Sequence, residues 1–201
     1  MKNNISTLLF RTFYHRAVSK ELKKRGFPQN IKHSIMKEYK EILERAADIG
    51  NSKLLSSYVM CMYFIAMNRA DGKTAEENYE ILKDGLLASG LFHKVMGDAD
   101  AYLDPKKLPG RLAWSEESHQ RKYRNDWVVD ILNGNGVYEL GYDYTECGVV
   151  KLCRDEGCPE LARHLCRMDF VLAEMMNMKL ERTSTLAEGG ERCDFRYSRK
   201  R

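Results

Sequence analysis

The chain has 201 residues, of which 43% are hydrophobic and 31% charged, and its formal net charge is +4. This composition is typical of a globular protein and excludes an intrinsically disordered one. The small positive excess favours solvated charge over a nucleic-acid surface, and no apolar run approaches the roughly 20 residues that cross a bilayer. No secretory signal pattern is visible. We therefore predict a cytoplasmic protein that binds neither nucleic acid nor membrane.

The first half of the chain predicts a set of helices. Apolar residues recur at helical spacing over residues 31–49, and Thr74 with Glu77 forms a capping-box pattern before a later helix. The segment from Tyr58 to Met67 is apolar almost all round, which indicates a buried, central helix. Helical periodicity weakens only after residue 96.

The second half predicts a different architecture. Two alternating runs flank Asn133-Gly134-Asn135-Gly136 and indicate a β-hairpin, two helices follow, and a second hairpin is predicted around the glycine turn Glu188-Gly189-Gly190-Glu191. The fold class is α+β: a helical N-terminal half followed by a four-stranded antiparallel sheet (ββααββ) covered by helices. The predicted division is a helical domain (1–96), a linker with one short helix (97–121) and an α+β domain (122–201).

The candidate site residues lie in this second half, which holds five of the six cysteines. Cys166 and Asp169 are three residues apart on a predicted helix, so they share one side of it. Cys147 precedes a helix, where free backbone N–H groups favour a thiolate. Alternation along the last strand puts Cys193 on one face and Asp194 on the other, with Phe195 and Tyr197 on the face of Cys193.

Arg182 is the candidate cation of the site. It alternates onto the apolar face of a predicted strand, where an arginine needs a carboxylate. That carboxylate could belong to Asp169 or to a bound substrate. The cysteine spacing contains no C-x-x-C pair and the histidines form no H-x-x-x-H pattern, so we predict neither a metal nor another cofactor.

Four segments of the C-terminal third resemble the L-2-amino-thiazoline-4-carboxylic acid hydrolase family: Cys147-Gly148-Val149, Cys158-Pro159-Glu160-Leu161, Cys166-Arg167-Met168-Asp169, and the stretch 182–195. The resemblance implies an enzyme of amino-acid metabolism that opens a cyclic cysteine precursor to a carbamoyl-cysteine. Hydrolysis of such a ring needs a nucleophile or activated water, a proton donor and a cation for the carboxylate. The residues offered for these roles are Cys147, Cys166 or Cys193 as nucleophile, Asp169 as acid/base, and Arg182 and Asp194 for substrate binding.

Two functions follow from the sequence. The first is a hydrolase acting on a C–N or C–S bond of a small cyclic amidine that carries a carboxylate. The alternative is a non-enzymatic small-molecule sensor domain related to the vinyl-reductase type. In that case the helical half would serve as a partner module or a homodimer module. Turnover of a thiazoline carboxylate separates the two.

Overall fold

Helices make up the first half of the protein in the computed structural model, which describes residue 1 and residues 4–200. They are α1 (Ile5–Lys24), α2 (Asn30–Arg45), α3 (Leu55–Ala70), α4 (Ala75–Leu87) and α5 (Gly90–Met96). Every residue from Tyr58 to Met67 is buried, which confirms the predicted central helix. The capping box is also confirmed: the Glu77 N–H donates to the Thr74 hydroxyl, and the Thr74 N–H donates to the Glu77 carboxylate.

Helix α2 is shorter than its apolar pattern predicts. It ends at Arg45, because Ala46 adopts an extended ψ of 136°. Ala46 and Ile49 are nevertheless buried, so a short loop continues the apolar face that the pattern assigned to the helix. The predicted helix was therefore too long, because the buried residues of the loop continue the apolar spacing of α2.

A four-stranded antiparallel sheet follows, and the predicted α+β class with its ββααββ order is confirmed. Its elements are β1 (Val128–Asn133), β2 (Leu140–Glu146), α8 (Gly148–Asp155), α9 (Ala162–Met175), β3 (Met178–Glu181) and β4 (Cys193–Arg199). The strands lie in the order β1-β2-β4-β3, so the strand nearest the C-terminus lies inside the sheet.

The two faces of the sheet differ in polarity. One face carries apolar and aromatic side chains and packs under α9; it includes Val129, Ile131, Leu140, Tyr142, Tyr144, Cys193, Phe195 and Tyr197. The opposite face is polar, with Arg196 donating to Asp143 at 2.7 Å. The predicted alternation of β4 is therefore confirmed, and Cys193 lies opposite Tyr144 in the β2–β4 ladder.

The segment 97–121 is more regular than predicted. It holds α6 (Ala99–Tyr102), a 3-10 turn (Pro105–Lys107) and α7 (Leu108–Ser118), where we predicted a linker with one short helix. Helix α7 is fixed to β1 through side-chain hydroxyls: Ser115 Oγ donates to the Val129 carbonyl at 2.7 Å, and the Val129 N–H donates to Ser118 Oγ at 3.1 Å. These helices cover part of the aromatic face of the sheet.

The last two strands are joined by a longer connection than the predicted glycine turn. Strand β3 ends at Glu181 and β4 begins at Cys193, and the residues between them include a 3-10 turn at Leu186–Glu188. Gly189 follows that turn with φ +88°, a backbone conformation that glycine adopts without strain. The predicted hairpin is confirmed, because β3 and β4 pair antiparallel, but the strands do not reach the turn Glu188–Glu191 as predicted.

The apolar core is continuous between the two halves. Buried residues of α3 share one cluster with residues of α8 and α9. At this contact the Cys61 and Cys153 sulfur atoms are 3.6 Å apart, and all six cysteines are free thiols. The division into domains at residues 96 and 122 stays a prediction.

Gly148, the first residue of α8, packs too closely for any side chain. A Cβ atom there would lie 2.5 Å from the Asn125 carbonyl oxygen and 2.6 Å from the Trp127 ring. We expect Gly148→Ala to lower the free energy of unfolding by roughly 1–3 kcal/mol, because the core must shift to accept the methyl group. Urea unfolding measures the change. Gly110→Ala in α7 is the control, since nothing lies within 4 Å of its Cβ position, and an equal loss in both variants would contradict the packing argument.

Candidate active site

Arg182 and Asp169 form a partly buried ion pair between α9 and the sheet. Arg182 Nη1 donates to Asp169 Oδ2 at 2.7 Å, and Nη2 donates to the Cys166 carbonyl oxygen at 2.9 Å. The arginine side chain is 6% exposed and the aspartate side chain 33%. Of the two carboxylates that the sequence left open, Asp169 is the one that Arg182 contacts in this structure.

Two aromatic rings hold the guanidinium in place. Its carbon lies 4.8 Å from the ring centroid of Phe170 and 5.0 Å from that of Phe195, within the range of cation–π contacts. Arg182 does not belong to the strand that the sequence predicted, because β3 ends at Glu181. It is the first residue of the connection to β4.

The pKa of the Asp169 carboxyl group lies above its ordinary value. Burial raises its pKa to about 6, and the charge and hydrogen bond of Arg182 act in the opposite direction. A group with such a pKa can both accept and release a proton under ordinary conditions, which is the property of a general acid or base. The local α9 geometry also puts Cys166 one turn before Asp169.

The three thiols predicted for catalysis lie within electrostatic reach of Asp169. The Leu186 N–H donates to Cys193 Sγ at 3.2 Å, while Cys147 is the residue immediately before α8. The charge of Asp169 acts on the pKa of Cys147, Cys166 and Cys193, and Arg182 acts on that of Cys166 and Cys193. The charge of Asp169 therefore reaches all three thiols, while a shared site for these five residues stays a prediction.

Burial keeps all three thiols protonated. It raises the pKa of Cys166 and of Cys193, and it raises that of Cys147 to about 11. The backbone N–H groups of Val149 and Val150 lower the pKa of Cys147, as its position before a helix predicts. At this site, however, desolvation outweighs the effect of the helix start.

Asp194 lies apart from the cluster, on the polar face of the sheet. Its carboxylate accepts hydrogen bonds from the Thr183 N–H at 2.9 Å, the Thr183 hydroxyl at 2.6 Å and the Ser184 N–H at 2.7 Å. These contacts tie the beginning of the β3–β4 connection to β4. Asp194 therefore helps to position the segment that begins with Arg182.

A group of tyrosines next to the acid–arginine pair was missed by the sequence analysis. The ring centroids of Tyr142 and Tyr144 are 6.0 Å apart, Tyr144 lies 5.4 Å from Phe195, and Tyr102 lies 5.3 Å from Tyr197. Trp114 of α7 lies over Tyr142 and Tyr144 at 6.5 and 6.4 Å. The strand tyrosines share the alternation of Cys193, which is a usable signal, whereas Tyr102 lies where the sequence pattern is weak.

The phenol groups are neutral hydrogen-bonding groups. Burial raises the pKa of Tyr102, Tyr144 and Tyr197 well above the ordinary value, and the Asp169 charge adds to this at Tyr144 and Tyr197. Ring contacts join these tyrosines, with centroids 5.3 Å apart for Tyr102 and Tyr197 and 6.0 Å apart for Tyr142 and Tyr197. The site is therefore a polar cluster of one acid, one arginine, thiols and phenols within an otherwise apolar layer.

A cleft of about 960 Å³ opens at the other end of the same sheet, away from the thiols. Its wall includes Leu103, Leu108 and Arg111, together with the β1–β2 hairpin and the last residues of β4.

Within residues 1 and 4–200, no group of three or more His, Cys, Asp or Glu side chains is arranged to hold a metal ion. None of the described helices has both the length and the apolar character needed to cross a membrane.

The fold and this cluster define an α+β protein with a partly buried acid–arginine pair between its last long helix and its sheet. The model of the L-2-amino-thiazoline-4-carboxylic acid hydrolase family matches residues 52–197, from just before α3 into β4, and the chain belongs to that family. The predicted resemblance is thereby confirmed. Comparisons with the curated proteins and with the solved structures found no match.

Proposed function

We propose that this protein hydrolyses a small cyclic amidine that carries a carboxylate, opening the ring at a C–N or C–S bond. Family membership supports a hydrolase with a thiazoline carboxylate as the natural first substrate to test. The observation that carries the proposal is the 2.7 Å pair of Arg182 and Asp169, in which burial raises the pKa of the carboxyl group to about 6.

In the proposed mechanism the Asp169 carboxylate acts on water. It accepts one proton while the water oxygen adds to the electrophilic ring carbon between nitrogen and sulfur. The π electrons of the ring C=N bond move to the ring nitrogen, which takes the second proton of the water. The tetrahedral intermediate then collapses to a carbonyl as the ring C–N or C–S bond breaks, and Asp169 returns the first proton to the leaving nitrogen or sulfur. One water is consumed, and a thiazoline carboxylate gives a carbamoyl-cysteine.

The state of the thiols favours water over a covalent mechanism. A cysteine attacks as its thiolate, and burial raises the pKa of Cys147, Cys166 and Cys193. None of them has a histidine base in the described contacts. We assign them to the wall of the site, where they pack beside the reacting ring.

The other predicted residues receive positioning roles in this proposal. Arg182 keeps Asp169 ionised and oriented, since its charge and hydrogen bond lower the pKa that burial raises. Asp194 holds the connection that carries Arg182, through its bonds to Thr183 and Ser184. The neutral phenol of Tyr144 is available to donate a hydrogen bond to a polar atom of the bound ring.

The test is turnover of 2-amino-thiazoline-4-carboxylate by the purified protein, followed by mass spectrometry for the product with one added water. We expect turnover, and we expect Cys147→Ala, Cys166→Ala and Cys193→Ala each to retain it within about tenfold. Loss of a true nucleophile would cost several orders of magnitude.

Two results would contradict the proposal. A single cysteine variant that loses turnover by several orders of magnitude while remaining folded would replace activated water with covalent thiol catalysis. If the protein binds the thiazoline carboxylate but forms no product, the hydrolase function is rejected and the ligand-sensor function is favoured.

A further inference from the structure

We propose that Arg111 of α7 is the anion-binding residue of this protein and holds the carboxylate of a small organic acid that enters through the 960 Å³ cleft. The inference deepens the proposed function and rests on it for the identity of the acid. It differs from the sequence prediction, which gave the carboxylate to Arg182.

Helix α7 places Arg111 on the side that faces the aromatic layer of the sheet. Residues 111, 114 and 115 lie on one side of a helix at i, i+3 and i+4 spacing. Ser115 is bonded to β1, and Trp114 lies over the ring of Tyr142 at 6.5 Å, so this side of α7 faces the aromatic layer. Arg111 is one turn earlier, and its guanidinium carbon lies 5.3 Å from the ring centroid of Tyr102.

Arg111 is the cation of this cleft whose charge no carboxylate balances in the part of the chain that the structure describes. Its bonded partner there is the Tyr102 carbonyl oxygen. The other cations that line the cleft all have acidic partners: Lys179 with Glu181, Arg199 with Asp100 and Glu139, and Lys200 with Glu174. The remaining acid of the cleft, Asp104, accepts the Lys106 N–H at 2.9 Å.

Arg182, by contrast, already has a carboxylate. Its charge is balanced by Asp169 at 2.7 Å, and a second Nη group is used by the Cys166 carbonyl. A substrate carboxylate placed there would have to displace Asp169 from the pair or share the arginine with it. Like charges sharing one site repel, so the uncompensated guanidinium of Arg111 is the better anion site.

A continuous row of aromatic groups leads from Arg111 to the acid. Tyr102 lies beside Tyr197 at 5.3 Å, and Tyr197 lies 6.0 Å from Tyr142. The Arg111 charge lowers the pKa of Tyr102 and Tyr142, while the Asp169 charge raises that of Tyr197. The tyrosines thus lie within electrostatic reach of both charged ends.

The experiment measures binding apart from turnover. The probe is thiazolidine-4-carboxylate, whose saturated ring lacks the amidine carbon, and its comparison compound is thiazolidine-4-carboxamide. Isothermal titration should show that the wild type prefers the carboxylate. Arg111→Gln should weaken carboxylate binding roughly 10- to 100-fold and leave carboxamide binding unchanged. Arg111→Lys should recover part of the loss, since it keeps the charge without the planar fork.

Arg199→Gln is the matched control, because it removes a cation from the same cleft that is balanced by acids. We expect it to leave the preference for carboxylate intact. Three results would overturn the assignment. Carboxylate binding could weaken equally in Arg199→Gln and Arg111→Gln, or it could weaken only in Arg182→Gln. The third is a wild type that binds the carboxylate and the carboxamide equally well. If the wild type binds the carboxylate through Arg111 but turns over no thiazoline, the hydrolase proposal fails while the anion site stands.

Discussion

We expect Asp169→Asn to lower kcat by about 10²- to 10⁴-fold on a thiazoline carboxylate, with a much smaller change in KM. The amide keeps the size of the side chain and can still accept a hydrogen bond from Arg182. It cannot take a proton from water, and that transfer is the step assigned to Asp169. Steady-state kinetics at saturating substrate measures the loss.

Asp143→Asn is the control for this variant. Asp143 is also paired with an arginine at 2.7 Å, but it lies on the polar face of the sheet. It should retain normal turnover. If Asp169→Asn is folded and fully active, Asp169 is not the acid/base, whereas equal losses in both variants would point to a general effect on folding.

The second large effect concerns pH and Arg182. If Asp169 acts as a base, it must be ionised, so kcat/KM of the wild type should fall as pH drops below about 6. Arg182 lowers this pKa, and its removal must therefore raise it. We expect Arg182→Gln to move the acidic limb of the kcat/KM profile to higher pH, with the activity at neutral pH reduced accordingly.

A pH–rate profile on folded protein checks this prediction, and circular dichroism confirms that each variant is folded. Arg182→Lys should shift the limb less, because a positive charge remains near Asp169. Arg196→Gln, which removes one of the two arginine partners of Asp143 on the other face, should leave the pH–rate profile unchanged. An acidic limb that does not move in Arg182→Gln would show that a group other than Asp169 controls it.

Much of the scaffold can be predicted from the sequence because burial there is strong and periodic. Helix α3 is apolar on all sides, and β4 alternates strictly, with Cys193 and Phe195 inward and Asp194 outward. Short loops that stay buried, such as the one after α2, carry the same apolar signal as a helix. For this reason the predicted end of α2 was too late.

The candidate site is harder to predict because its parts are distant in the sequence. The acid–arginine contact was one of two alternatives, since the spacing of Asp169 and Arg182 does not show which carboxylate the arginine meets. Tyr102 and Arg111 were missed altogether. They lie in two short helices of a segment interrupted by prolines and glycines, and only tertiary packing, such as that of α7 on β1, brings them to the aromatic layer.

The strand order has a consequence for how the site is assembled. Strand β3 pairs with β4, and β4 pairs in turn with β2, so β3 cannot join the sheet before β4 is in place. Because β4 follows the helices and the other strands in the sequence, a nascent polypeptide can form those helices and the β1–β2 hairpin before β4 is synthesised. Cys193 is part of β4, the strand whose pairing with β2 and β3 completes the sheet. Formation of the candidate site thus depends on a strand that is synthesised after the helices, and a chain that stops before β4 would lack Cys193 and its neighbours on that strand.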